Sequence, residues 1–224
     1  MGISPDLLDR LVDWGVRRGQ RVLDIGTSEL FCGEDPVALN RFLTHFGAAP
    51  YDDEELERTK TAFAAELFMR ADIGYRAIDL TPYPHTIRLD LNRRSLPFWH
   101  RGRYDLVLNC GTTEHVLNQL NAFRLIHDAC KVGGLMYHGV PMAGDFWHGF
   151  ISYNPKFFTR VQEANGYEIV QRWIWAADER RSYDEVELAR LNREFSAQDA
   201  WVNFLLRRTS KAPFKAPSDL VRAI

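Results

Sequence analysis

The sequence predicts an α/β fold: a doubly wound, mostly parallel sheet of seven strands, helices on both faces, and a last strand running antiparallel. Two observations predict it. From Arg21 to Arg208, short apolar runs that end in Gly or a polar residue alternate with segments whose apolar residues recur at helical spacing. The 224 residues, 46% of them hydrophobic, suffice for one sizeable core, and no internal repeat or linker marks a second. A single domain over 1–224 is therefore expected.

Ser4-Pro5-Asp6 is a helix start signal, and Leu7, Leu8, Leu11, Val12 and Val16 follow at helical spacing with Gly19 as a stop. This places an N-terminal helix at about 4–18. Arg21 to Gly26 reads as a buried parallel strand entering a tight turn. Asp35-Pro36 fits a helix start for a segment through Phe46, and a longer helix is expected from Asp53 to Arg70. The stretch 31–73 is long for one crossover and is expected to be a helical insertion that caps the ligand site.

Strands are then expected at Tyr75 to Asp79, Thr86 to Asp90 and Tyr104 to Asn109, and a helix from Thr113 to Cys130. Leu135 to Val140, a helix Pro155 to Asn165, and Tyr167 to Trp175 continue the alternation. A helix Asp184 to Phe195 precedes a last strand, Ala200 to Arg208, and the tail from Thr209 with its prolines is expected to be loose.

Composition narrows the function classes. Three scattered cysteines, Cys32, Cys110 and Cys130, form neither a disulfide framework nor a zinc pair. No apolar run is long enough to span a membrane, and the first residues lack the basic and apolar regions of a signal peptide, so a cytoplasmic protein is expected. A net charge of −2 without a basic stripe argues against nucleic acid as partner and favours a small-molecule acceptor.

Four stretches in order resemble the class I, Rossmann-like, S-adenosylmethionine (SAM)-dependent methyltransferases, and the resemblance covers about Arg21 through Arg208. The first is Val22-Leu23-Asp24-Ile25-Gly26-Thr27-Ser28, similar to that family's opening strand and glycine loop. Of the family's alternating glycines only the first is present, Ser28 and Leu30 standing at the next two. SAM has no pyrophosphate and depends less on a phosphate cradle, so this departure counts more heavily against NAD. The second is Asp79-Leu80 at a strand end, where the resemblance implies a carboxylate accepting from ribose hydroxyls; a turn residue before Thr81-Pro82 is the alternative.

The third is Leu89-Asp90-Leu91, for which the resemblance implies adenine contacts, a turn or helix-cap role being the alternative for Asp90. The fourth is Tyr104 to Val116, in which Asn109, Cys110 and Gly111 are implied to lie beside the methionine part of the cofactor and Glu114-His115 to face the cleft from a first helical turn. Lys131-Val132-Gly133-Gly134 resembles the turn before the family's fifth strand. Asp24, Gly26, Thr27, Ser28, Asp79, Leu80, Asp90, Leu91, Asn109, Cys110 and Gly111 are thus the expected cofactor residues.

The aromatic and polar segment Pro141 to Pro155 is expected to receive the acceptor. For a hydroxyl acceptor, His148, His115 and Glu114 are the candidate catalytic residues, since an imidazole accepts a proton near neutral pH. Each has a plain alternative: Glu114 complementing a helix dipole, His115 and His148 packed histidines. Trp147, Phe150, Tyr153, Trp173 and Trp175 are read either as a substrate-stacking set or as core. Asp145 and Glu114 show no clear metal-ligand spacing, so no metal is expected. The resemblance implies methyl transfer from SAM to a small molecule, such as a hydroxyl of a sugar or secondary metabolite. A protein or RNA methyltransferase, or a non-catalytic scaffold of the same fold, is the alternative.

Overall fold

The computed structural model describes residues 2–32, 35–59, 62–144, 147–177, 181–184, 186–187 and 199–219. They form two compact units, Met1–Asp90 and Leu91–Ile224.

The first unit opens with strand β1 (Gly2–Ile3) and helix α1 (Pro5–Asp13). The start signal acts as expected: the Ser4 side chain accepts from the Leu7 amide at 3.3 Å with Pro5 leading the helix, and Leu7, Leu8 and Leu11 are buried. Strand β2 (Arg21–Ile25) lies parallel to β4 (Gly74–Asp79), and β4 parallel to β5 (Thr86–Arg88). Val22, Leu23 and Ile25 are fully buried, as an apolar run covered on both faces requires. Two-residue strand β3 (Glu29–Leu30) pairs with β1, a contact too short to leave a sequence pattern.

Helix α2 (Val37–His45) follows Pro36 and buries Leu39, Phe42 and Leu43. The single helix expected from Asp53 to Arg70 is instead two, α3 (Asp53–Thr59) and α4 (Ala64–Arg70). Phe63 is extended, at φ −83° and ψ 151°, because its backbone bridges to Glu29. Arg70 then ties the pieces, pairing with Glu55 at 2.7 Å and lying over the Tyr51 ring. Phe68 of α4 stacks on Tyr75 of β4.

In the second unit, β6 (Tyr104–Cys110) is parallel to β7 (Cys130–Ala143). The last strand, β10 (Ala200–Arg207), runs antiparallel to both β7 and β8 (Glu168–Ala176), as expected, and β9 (Arg181–Asp184) pairs antiparallel outside β8. The alternation did not foretell β9, whose Arg-Ser-Tyr-Asp has no period-two pattern. Of the helix expected at Asp184 to Phe195, Asp184 instead ends β9, Val186 and Glu187 are helical, and residues 185 and 188–195 lie outside the described residues.

The helix expected from Thr113 is a correction. Thr113–His115 is a single 3₁₀ turn, and helix α5 begins only at Gln119, ending at Ala129. Val116 turns extended, at φ −106° and ψ 119°, and Asn118 caps the new start by accepting from the Asn121 amide. The Gln119 side-chain amide donates to the carbonyls of Thr113 and Val116, the former also accepting the 3₁₀ bond from the Val116 amide.

Helix α6 (Pro155–Asn165) has the caps its sequence announces, Asn154 at the start and Gly166 at φ 61° at the end. The tail 209–219, expected loose, is tied down: Lys215 and Asn165 exchange two hydrogen bonds, Thr209 donates to the Gly166 carbonyl, and Lys156 pairs with Asp219. These are polar contacts without periodicity, three of them side chain to backbone and one an ion pair, so the tail's sequence does not advertise them. Among the described residues no helix is long and apolar enough to cross a membrane.

His138 of β7 is buried against Phe123 and Phe158, and its Nδ1 lies 3.2 Å from the Asn109 amide. Burial pushes its pKa down to about 3. A depressed histidine costs stability when the unfolded chain takes up a proton that the folded one refuses. The loss therefore accrues as pH falls from about 6.5 toward 3, at about 1.4 kcal/mol per pH unit. Asp24, raised to about 6 by burial, works oppositely between about 3.8 and 6. Substituting His138→Phe should remove the histidine's share, so that urea melts at pH 6.5 and 4.5 show a shallower acid loss than the wild type by about one proton.

Candidate active site

In the first unit, β2 delivers Asp24 and the Gly26 turn, whose φ of 87° suits glycine. The Gly26 amide donates to the Ile78 carbonyl at 2.8 Å, and the Thr27 amide donates to Asp79 Oδ2 at 3.0 Å. Two stretches 52 residues apart, the loop and the second strand end, therefore meet. Asp79 Oδ1 also accepts from the Thr81 amide, so the turn role and the loop contact are both present on one carboxylate. Each oxygen keeps lone pairs for hydroxyl donors.

Asp24 is wholly buried. Its Oδ2 accepts from the Ser28 amide and from the Tyr75 hydroxyl, at 3.1 and 2.6 Å, whereas Oδ1 has no hydrogen-bond partner among the described residues. Burial raises its pKa to about 6, and the Tyr75 and Ser28 bonds oppose the rise. Tyr75 was not a candidate from sequence, because a donor 51 positions away leaves no local signal.

Ser28 and Leu30, standing where glycines were expected, are 1% and 3% exposed, and Leu30 belongs to β3. The chain leaving the loop is thus extended, and α2 starts only at Val37. Among the described residues the loop is followed by β3 and not by a helix N-terminus. Leu80 is exposed and Asp90 half-buried.

In the second unit, β6 ends in Asn109 and Cys110 with Gly111 directly after it, while Leu91 is buried. The Asn109 side chain, fully buried, accepts from the Thr113 amide and donates to the Thr113 hydroxyl at 2.9 Å. Its amide is used in shaping the turn.

That turn buries Glu114 completely and leaves His115 partly exposed. The Glu114 carbonyl accepts from the amides of Phe150 and Ile151, drawing the segment after β7 against it. His148 Nε2 then lies 3.3 Å from Glu114 Oε1, and His115 Nε2 3.9 Å from the same oxygen. The three predicted catalytic residues, 34 positions apart at the extremes, come together, with ligand-capable atoms within 4.8 Å of one another.

Two glycines make room: a Cβ on Gly149 would stand 2.9 Å from Glu114 Cγ, and one on Gly111, at φ 79°, 3.1 Å from Glu114 Oε1. Burial raises the Glu114 pKa, against a lowering by the His148 hydrogen bond. Burial, then the neighbouring His148, lowers that of His115.

The aromatic set divides. Tyr153 and Trp173 are core: Tyr153 packs among Phe123, Phe157 and Phe158 with its hydroxyl donating to Gln119, and Trp173 stacks on Tyr137. Trp147 and Phe150, on either side of His148, are 97% and 75% exposed, as acceptor-contacting residues would be. Trp175 is partly exposed. Asp145 and Phe146 lie outside the described residues.

No protein-family model and no curated protein sequence matches this chain. Solved structures do. A candidate methyltransferase from Bacillus halodurans C-125 superimposes with a TM-score of 0.50 over 91% of this chain and 99% of its own, at 11% identity. Phosphoethanolamine N-methyltransferase 2 of Haemonchus contortus, solved with phosphomonomethylethanolamine and S-adenosylhomocysteine, also gives 0.50, over 92% of this chain at 14% identity. The match covers 53% of that protein, so this chain spans about half its length. The chain has the methyltransferase fold.

The Tyr75–Asp24 bond gives a test of the loop's construction. Tyr75→Phe keeps the ring stacked on Phe68 and removes the donor. A buried carboxylate that loses a donor costs about 1–3 kcal/mol. Because Asp24 ionises in the fold only above about pH 6, the loss should be larger at pH 8 than at pH 5 in urea denaturation. An equal loss at both values would show that the carboxylate does not ionise in the folded loop.

Proposed function

We propose that this protein is a SAM-dependent methyltransferase acting on a hydroxyl of a small molecule, such as a sugar or secondary metabolite. The carrying observation is the Thr27 amide on Asp79, which joins the glycine turn to the second strand end as a SAM-binding loop requires. The fold shared with a protein that holds S-adenosylhomocysteine supports the same reading.

The residues fit the cofactor. Asp24 Oδ1 is a buried acceptor lacking a donor, which a cofactor's ammonium or a water attached to it would supply. Asp79 has lone pairs for two ribose hydroxyls. Gly26, Thr27 and Ser28 offer backbone, and Leu80 an exposed apolar side chain. By the resemblance, Asp90 of the first unit is assigned to adenine, and in the second unit Leu91, Cys110 and Gly111 carry the cofactor assignment, with Asn109 shaping the turn. When bound, SAM supplies an electrophilic methyl on a sulfonium.

The remaining work belongs to the chain. A hydroxyl loses its proton as it attacks, and His148, held by the Glu114 carboxylate, is the group that accepts it. Glu114 fixes the ring and stabilises the imidazolium that forms; His115 lines the same cluster. Trp147 and Phe150 give the acceptor an apolar surface that excludes water.

Calorimetric titration with SAM and S-adenosylhomocysteine should show binding of about −8 kcal/mol, a micromolar Kd. Asp79→Ala should weaken it roughly tenfold or more with the circular dichroism spectrum unchanged, since two ribose hydroxyls lose a charged acceptor. His148→Ala should lower turnover on a hydroxyl acceptor by about 10²-fold or more while SAM affinity stays. Absence of SAM binding in the wild type would favour the non-catalytic scaffold.

A further inference from the structure

We propose that Glu114, His115 and His148 form a binding site for a divalent transition-metal ion of the zinc type, one carboxylate oxygen and two imidazole nitrogens supplying three ligands. The inference replaces the expectation of no metal and stands independently of methyl transfer, since it concerns the second unit's own side chains.

The first support is distance. Ligand atoms about 2.0–2.1 Å from a metal stand roughly 3 to 4 Å from one another. Here Glu114 Oε1 is 3.3 Å from one imidazole nitrogen and 3.9 Å from the other, and all three ligand atoms lie within 4.8 Å. Closing the set needs only small turns of two rings that both reach solvent, with side-chain exposures of 40% for His115 and 31% for His148.

The second support is the carboxylate itself. Glu114 has no exposed surface, and its Oε2 has no hydrogen-bond partner among the described residues. Two imidazoles beside it give it, when neutral, at most one hydrogen bond each to share. A buried carboxylate in such company requires a cation or a proton, and a dication bound at Oε1 neutralises the charge of the whole group.

The third support is that the scaffold is fixed before any ion arrives. The Glu114 carbonyl holds the Phe150 and Ile151 amides, so the segments bearing His115 and His148 are registered by backbone hydrogen bonds. The glycines at 111 and 149 leave the carboxylate room.

Two nitrogens and one oxygen form a donor set for zinc-type ions and a poor one for calcium or magnesium, which take oxygen. Three protein ligands would leave a coordination position open on the exposed side of the rings. An ion there would also occupy the nitrogen with which His148 accepts a proton, so metal and proton compete for one atom.

The test is titration of the SAM-free protein with Zn²⁺ by calorimetry and with Co²⁺ by visible absorption, beside His115→Ala, Glu114→Gln and His45→Ala. His45 is exposed in the other unit and controls for surface histidines. Single-site Zn²⁺ binding with a Kd of about micromolar or tighter is expected, weakened roughly tenfold or more by the first two substitutions and unaltered by the third. Co²⁺ should give absorption bands that the same two substitutions abolish. His115→Ala, at a partly exposed ring, keeps the test valid if Glu114→Gln fails to fold. No binding, or binding that survives His115→Ala, overturns the proposal. SAM titration in parallel separates the outcomes, because SAM binding without zinc leaves the methyl-transfer reading standing and zinc without SAM does the reverse.

Discussion

The second unit is organised around one costly constraint, a carboxylate buried with half of its hydrogen-bonding capacity unused. Removing an ionised group from water costs several kcal/mol unless partners replace the solvent. Glu114 has two imidazoles for partners and one oxygen with none. Much nearby structure serves to keep it there. The 3₁₀ turn is pinned by Asn109 and Thr113, the Gln119 amide closes the carbonyls behind it, and the Glu114 carbonyl anchors the segment that brings His148. A helix through 113–130 would have been the cheaper local structure. The irregular path puts Glu114 inside and its neighbour His115 at the surface, with both ligand atoms converging.

The first unit shows the same economy in a different place. Asp24 lies on a strand among the buried apolar Val22, Leu23 and Ile25, and its donors, the Ser28 amide and the Tyr75 hydroxyl, satisfy one oxygen only. Asp79, more exposed, is filled by backbone amides and retains spare lone pairs. One carboxylate is therefore strained by burial and the other is not, which is why the pKa of Asp24 rises to about 6. An apolar residue at this buried position beside β4 would have cost less; retaining an acid there makes sense if something binds to it.

Legibility in the sequence followed the length over which a signal is written. The β2 run, the caps of α1 and α6, and the antiparallel β10 were plain because each is a local pattern of several residues with a physical cause. The glycine turn and the strand end at Asp79 were legible as local pattern, but their cofactor roles only through family resemblance, and their contact at 3.0 Å belongs to tertiary structure. What was lost was non-local or too short. Phe63 leaves the helix because Glu29 is there to pair with it. Val116 turns extended, and the Gln119 side chain, met only in the folded turn, donates to the carbonyls of Thr113 and Val116. The tail is held by Asn165, fifty positions away in the chain. Glu114, His115 and His148 were each visible as titratable residues in plausible segments, yet no ligand spacing revealed their convergence, because a backbone clasp at Phe150 and Ile151 creates it.

A structural account of the Glu114 cluster must explain why burial was not relieved. Gln at 114 would fill the same volume, donate and accept, and avoid the desolvation of a charge; a scaffold gains nothing from the acid. The His148 contact does not repay that cost alone, because an imidazole at the edge of solvent is a weak counter-charge. Proton transfer and metal ligation are the two uses for which an acid is required and an amide fails: the first needs a negative charge to orient and stabilise an imidazolium, the second needs an anionic oxygen donor. Both draw on the same nitrogen of His148. On the two proposals the same nitrogen serves a base or an ion, and not both at once.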